Sequence, residues 1–236
     1  SIIDSLEQSF SGIKGRLCDD QGGLRTFVNI YINGEDVRFL EGINTPVKDG
    51  DEISIALAKA KGNDIQILEK RGMSKSLGRY YSSITSFLGF DHMEEEYKVM
   101  GLASYGHKGI ELSDFLKVEN EDYSLNDSYC RSYGKYFETS KSKNNSNPRL
   151  ISRFEPWYAK KLIDLLGNPR RINEVVNQRH KDIAFASQKK FEEAAVTVIK
   201  RLHNQTGLRK LAIAGGCALN CKANKIYSDL EFVDEI

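Results

Sequence analysis

No run of apolar residues in this chain is long enough to span a bilayer, and no signal-peptide pattern opens it, so neither a membrane nor an export route is expected. Charge of one sign is scarce too. With 34 Lys and Arg against 33 Asp and Glu, the 236 residues carry a formal net charge of +1, too little to hold nucleic acid by bulk electrostatics. The four cysteines (Cys18, Cys130, Cys217, Cys221) have no disulfide-framework spacing, which makes a reducing cytoplasm the expected setting. The four histidines, His92, His107, His180 and His203, fall in no metal-ligand pattern and read as surface residues. Ser1 rather than Met stands first, as expected of a start that was lost, processed or never cloned. What remains is an ordinary globular composition, 40% hydrophobic and 28% charged, at a length expected for one or two domains.

The stretch that stands out lies late: Leu211-Ala-Ile-Ala-Gly-Gly-Cys-Ala-Leu-Asn-Cys-Lys-Ala-Asn224. Leu211 to Ala214 reads as a short buried strand, Gly215-Gly216 as its break, and Cys217 to Asn224 as a helix. Such a turn can cradle a phosphate, because glycine lets the backbone come close and a helix start offers unpaired N–H groups. Asn220 and Asn224, four apart, would share one helical face and could reach one ligand. The same letters also fit a plain strand-to-helix turn with a close-packed glycine pair. Cys217 and Cys221 fit either two small buried apolar side chains or a metal or redox pair.

Ahead of it the chain has two characters. Ile2, Ile3, Leu6 and Phe10 are spaced like one face of a helix that ends at Ser11-Gly12. Thr26 to Val37 alternates around Asn33-Gly34, a strong signal for a two-residue hairpin turn. Asp49-Gly50 marks another turn, and Glu52 to Leu57 a last alternating strand. Phe27-Val-Asn-Ile-Tyr-Ile-Asn-Gly-Glu-Asp-Val37 and Thr45-Pro-Val-Lys-Asp-Gly-Asp-Glu-Ile-Ser-Ile55 resemble the ubiquitin-like sulfur carriers of the β-grasp fold (the MoaD and ThiS type). Those carriers end in a free Gly-Gly whose carboxylate is activated as a thiocarboxylate. Here the last strand runs on as Ala56-Leu-Ala-Lys-Ala-Lys-Gly-Asn63, and a carboxylate inside a peptide bond carries no sulfur. Residues 1–60 are therefore expected to be a truncated, non-working carrier module.

From Gly62 the pattern turns helical. Leu77, Tyr80, Tyr81, Ile84, Phe87 and Leu88 keep helical spacing up to Gly89, which fits a C-cap. The acidic Glu94 to Glu96 suits a solvated helix start; Met100 and Leu102 read as core, whereas Lys98, Gly101 and Gly106 can line a site. Glu119 to Ser146 reads as a polar surface excursion, and Trp157 to Leu166 as a short helix closed by Gly167-Asn-Pro169. Asp182 to His203 is a long amphipathic helix carrying Ile183, Ala186, Phe191, Ala194 and Val198, with Arg179, His180 and Lys181 as its basic lead-in.

Several of these segments resemble the O-carbamoyltransferases of the NodU/CmcH type: Ser76-Leu-Gly with Tyr81-Ser, Glu96-Tyr-Lys-Val-Met-Gly-Leu-Ala-Ser-Tyr-Gly106, Asp182-Ile-Ala-Phe-Ala-Ser-Gln188, Thr206-Gly207 and the late glycine stretch. Ser104 stands where that family usually has Pro, and Asn224-Lys-Ile lacks the usual Gly. The resemblance implies that residues 61–236 are part of an actin/Hsp70-like (ASKHA) nucleotide-binding domain, so the whole reads as α+β or α/β. It implies ATP and carbamoyl adenylate as ligands, with Gly215, Gly216, Asn220 and Asn224 on the nucleotide. It also implies a small-molecule hydroxyl acceptor, with Glu96, Lys98, Gly101 and Tyr105 on the substrate pocket. The family's iron-type metal is held by paired histidines upstream of the first block matched here and by an aspartate past Ile236, so this chain is expected not to bind it. A partner chain supplying those segments and the adenylate-forming domain is the corresponding expectation. The join near Ala58–Lys61 fits a natural remnant, a fused gene or two reading frames run together. A carrier or interaction module with a passenger domain, and an inactive fragment, are the alternative readings.

Overall fold

The computed structural model describes residue 18 and residues 31–32, 35–36, 55–61, 64–72, 75–92, 94–131 and 156–236. Contacts divide the chain into two compact units, Ser1–Met73 and Ser74–Ile236. The expected helix at 2–10, the turn at Asp49-Gly50 and the polar run 141–148 lie outside the described residues.

In the first unit β1 (Tyr31–Ile32) pairs antiparallel with β2 (Glu35–Asp36), Ile32 opposite Glu35. The two residues between them are Asn33-Gly34, the pair that tolerates positive φ in a tight hairpin turn. β3 (Ile55–Lys61) pairs antiparallel with β4 (Asp64–Arg71) across Gly62-Asn63, with a bulge between Leu57 and Ala58. So the strand expected to end the carrier-like module continues into a second hairpin. Gly-Asn is itself a two-residue turn signal.

The second unit is built around two helices. α1 (Leu77–Phe87) starts at Ser76, whose hydroxyl accepts from the Arg79 amide. It stops at Gly89, φ +71°, with the Gly89 and Phe90 amides bonded back to Ser86 and Thr85. Those two bonds are the Schellman pattern, which needs a residue that tolerates the left-handed region. α4 (Gln178–Thr206) is capped by Asn177 in a reciprocal box with His180 and ended by Gly207 at φ +66°. It begins four residues earlier than the sequence suggested, because Asn177 supplies a side-chain cap and Arg179 to Lys181 already form its first turn. Its anticipated apolar face holds: Ile183, Ala186, Phe191 and Ala194 are buried, and Val198 is half-buried against the core.

Between these helices run α2 (Glu96–Leu102), β5 (Leu116–Glu119), β6 (Asp122–Leu125) and α3 (Lys160–Leu166). Tyr80, Ile84 and Phe87 of α1, Phe115, Leu116, Leu162 of α3, and Ile183 and Phe191 of α4 form the buried core. Tyr80 tilts on Phe115 at 4.8 Å, and Tyr81 meets Phe191 edge-on at 5.3 Å. Fully burying such side chains stabilises by about 2 kcal/mol each, so α1 and α4 are held together chiefly by this shared core.

Three expectations are corrected here. The first part of the polar excursion is the β5–β6 hairpin, which buries Tyr123 and Leu125. Its turn residues Asn120 and Glu121 both have positive φ, and a glutamate there gives no hairpin signal in sequence. His92 and His180 are buried rather than on the surface. Leu211 to Ala214 is not a buried strand: Leu211 and Ile213 are half-buried, Ala212 and Ala214 exposed, and among the described residues pairing is limited to a single parallel bridge from Lys210 to Glu235. With one bridging residue as partner, an extended segment has no ladder to complete. The described elements together are mixed α and β, with sheets of two strands each. No described helix is long and apolar enough to cross a membrane.

Candidate functional site

The glycine stretch is a sharp bend followed by two short helices. Gly215 sits at φ +87°, in the left-handed region, and opens a 3-10 turn over Gly216–Leu219 closed by the Ala218 amide on the Gly215 carbonyl at 3.0 Å. Asn220 then caps α5 (Cys221–Ser228), its Oδ1 accepting from the Ala223 amide at 3.1 Å. A side-chain carbon built on Gly215 or Gly216 would meet nothing within 4 Å, so the space over the bend is open. A 3-10 turn leaves its first N–H groups without intrahelical partners, which suits an anion above it.

α2 lies against this segment. Met100 Sδ is 3.6 Å from Cys221 Sγ, and Lys222 Nζ donates to Ser104 Oγ at 3.1 Å. Glu96, Met100 and Ser104 stand four apart, one row of a helix continued by the 3-10 turn Ala103–Tyr105. That row faces the glycine stretch. Of the four residues picked for the substrate pocket, Glu96 is on it. Ser82 Oγ donates to Glu96 Oε1 at 2.9 Å, and burial raises the Glu96 carboxyl above its ordinary range. Lys98 is tied to Glu95 and lies 5.7 Å from the Phe90 ring centre; the Glu95 hydrogen bond raises its ammonium. Gly101 and Tyr105 face solvent, Tyr105 with 69% of its surface exposed.

The two asparagines are tied to different partners within the protein. Asn220 is buried and Asn224 half-buried. Asn224 Nδ2 donates to the Ala218 carbonyl at 2.7 Å, tying α5 to the preceding turn, while its Oδ1 is buried without a hydrogen-bond partner. Asn220 exchanges two 3.0 Å hydrogen bonds with Gln188 of α4, Gln188 Nε2 to Asn220 Oδ1 and Asn220 Nδ2 to Gln188 Oε1. Gln188 Nε2 also donates to Glu192 Oε1 at 2.9 Å, and Gln188 Oε1 accepts from the Tyr81 hydroxyl at 2.7 Å. Burial is the main reason the Tyr81 and Tyr227 hydroxyls stay protonated far above their ordinary range.

Asp182, at the other end of the same motif, holds a different loop. Its Oδ1 accepts from the His107 and Lys108 amides at 3.1 and 3.3 Å and from Gln178 Nε2 at 2.9 Å. The Gln178 bond leads the effects that pull the Asp182 carboxyl below its ordinary range. Residue choice by motif could have singled out Asp182 and Gln188, but nothing in their spacing tells a ligand from a clamp. The cysteine pair splits: Cys217 is half-buried and burial raises its thiol to about 11, whereas Cys221 is exposed. Among the described residues no group of three His, Cys, Asp or Glu side chains is placed to hold a metal ion. A shallow groove of about 290 Å³ runs along Gly109 to Leu112 and Phe185 to Glu193, apart from the glycine bend.

Sequence comparisons place the chain in a family. The family model described as carbamoyltransferase N-terminus matches residues 43–234. The chain belongs to that family. Nodulation protein NolNO of Sinorhizobium fredii is 30% identical over 179 residues, 74% of this chain and 22% of that protein. An uncharacterised Synechocystis protein is 31% identical over 180 residues, 74% of this chain and 26% of its own. The chain thus spans about a quarter of the length of these carbamoyltransferase-side relatives. A second membership sits at the front: the ThiS family model matches residues 1–56. Sulfur carrier protein CysO of Mycobacterium tuberculosis is 48% identical over 64 residues, 26% of this chain and 69% of the carrier. The two family matches overlap over residues 43–56.

Proposed function

We propose that the second unit is part of the nucleotide-binding core of an O-carbamoyltransferase of the actin/Hsp70-like kind. In this reading Gly215 and Gly216 receive the phosphoryl group of ATP or carbamoyl adenylate. One observation carries it: the two carbamoyltransferase-like segments, far apart in sequence, meet where Met100 touches Cys221 and Ser104 takes a hydrogen bond from Lys222, beside a glycine bend with open space above it. When bound, the adenylate supplies an activated carbamoyl carbon for attack by an acceptor hydroxyl. The chain's own part is to orient. Backbone N–H groups at the bend meet the anion, and the Lys222 ammonium, on the second residue of α5, adds positive charge beside it. Glu96, with its raised carboxyl, is the group on the facing row suited to exchanging a proton with the acceptor. Lys98, Gly101 and Tyr105 lie off that row, so the acceptor pocket proposed here keeps Glu96 and draws on Met100 and Ser104. The described residues offer no ligand set that fits the iron-type metal. Completion by a partner chain and a cytoplasmic setting remain part of the proposal.

Calorimetric titration of the full chain with ATP or a non-hydrolysable analogue tests it. Binding is expected, and Gly216→Val is expected to abolish it while leaving the melting temperature nearly unchanged, since the added side chain enters empty space. Saturable binding that survives Gly216→Val would place the nucleotide elsewhere.

The front module supports a second reading, as a docking module of sulfur-carrier type, carried by the ThiS match and the β1–β2 hairpin. The β3–β4 hairpin runs through the place where a working carrier would end, so no thiocarboxylate forms there. Mass spectrometry after incubation with a sulfur-carrier activating enzyme is expected to return the unmodified mass.

A further inference from the structure

We infer that Gln188 is a positioning residue for the Gly215–Gly216 bend, acting through Asn220; its consequence for ligand binding rests on the nucleotide reading above. Gln188 is 2% exposed and Asn220 8%, so neither amide meets solvent or a ligand freely. All four hydrogen-bonding positions of the Gln188 amide are filled: its nitrogen serves Glu192 and Asn220, its oxygen serves Tyr81 and Asn220. A fully paired buried amide holds one orientation, because turning it over sets donor against donor and acceptor against acceptor. Asn220 passes that orientation on. Its Oδ1, already fixed by Gln188, caps α5 at Ala223, and its own amide N–H bonds to the Cys217 carbonyl at 3.2 Å within the 3-10 turn. The turn that follows Gly215 is therefore oriented by α4, and Asn220, read from sequence as a nucleotide ligand, serves as the link.

The test reads the glycines directly. Backbone amide signals of Gly215 and Gly216 are followed by ¹⁵N NMR in the full chain, alongside titration with a non-hydrolysable ATP analogue. Gln188→Leu is expected to move both glycine signals and weaken the analogue at least tenfold, with signals from α3 in place. Gln188→Asn keeps an amide but stops one methylene short of Asn220, and is expected to do the same if the leucine variant fails to fold. Tyr80→Phe is the matched control. It removes another buried hydrogen bond to α4, the 3.3 Å one on the Ser187 carbonyl, and is expected to leave glycine signals and affinity unchanged. Unmoved glycine signals in a folded Gln188 variant, or equal movement in Tyr80→Phe, overturn the inference. A wild-type chain that binds no analogue removes the nucleotide reading, and the glycine signals still decide the role of Gln188.

Discussion

At Gly106 a loop passes tightly against α4. A β-carbon there would stand 2.2 Å from the Lys181 carbonyl oxygen and 2.5 Å from Phe185 Cβ, and a helix backbone cannot yield that space. Gly106→Ala is expected to cost about 3 kcal/mol in urea unfolding, and a loss near zero would mean the loop stands off the helix. His92 makes a second residue-scale case. It stacks on Trp157 with ring centres 4.7 Å apart, its Nε2 is buried without a hydrogen-bond partner, and burial lowers it from 6.5 to about 4. The nearby charges oppose each other, Asp91 raising it and Arg131 lowering it. Because the folded value is the lower one, the unfolded chain takes up the proton first. The stabilisation is complete above about pH 6.5 and is lost as pH falls toward 4, by on the order of 3 kcal/mol. His92→Phe keeps the stack without the charge. It is expected to narrow the difference between unfolding free energies at pH 4.5 and 7.5, and an unchanged difference would clear His92 of the effect. Neither residue announces this in the sequence. A histidine carries no burial mark, and a glycine's need for space depends on a helix about 75 residues away.

Elements with local signals were legible, and those held by distant partners were not. Asn33-Gly34, Gly89 and the 3.6-residue spacing of α4 each act within a turn or two, so the letters alone locate them. β4 carries no such local mark: the sequence turns helical in character from Gly62, and the strand is there because β3 pairs with it. At Leu211 to Ala214 the error ran the other way, since an apolar run becomes a strand only if a neighbour offers a ladder. The β5–β6 turn gives a prediction at this scale. Glu121 holds φ +60° at a cost glycine does not bear, so Glu121→Gly is expected to raise stability by about 0.5–1 kcal/mol, read as a shift in urea midpoint. A lower midpoint would mean the glutamate side chain contributes more than its backbone costs.

At the scale of the whole molecule, composition makes its own prediction. A net charge of +1 and a pI near 7.6 leave little repulsion between copies at neutral pH, while Tyr97, Tyr105, Val175 and Leu219 stand exposed. Turbidity at fixed concentration is expected to peak near pH 7.6 and fall on both sides. A flat profile would show that net charge does not govern association between copies. Of the candidate site, the sequence located the two segments that meet, but not which side chains serve as internal ties. Asp182 and Gln188 lie on one helix, one holding the loop after α2 and the other the cap of α5. Their six-residue separation fixes a rise of about 9 Å along the helix axis. α4 thus works as a ruler: beside the direct contacts of the two segments, the rise of one helix fixes the distance between their ties. One residue inserted between the two ties would swing one of them about 100° around the axis, spoiling the gauge while leaving every contacting side chain in the sequence.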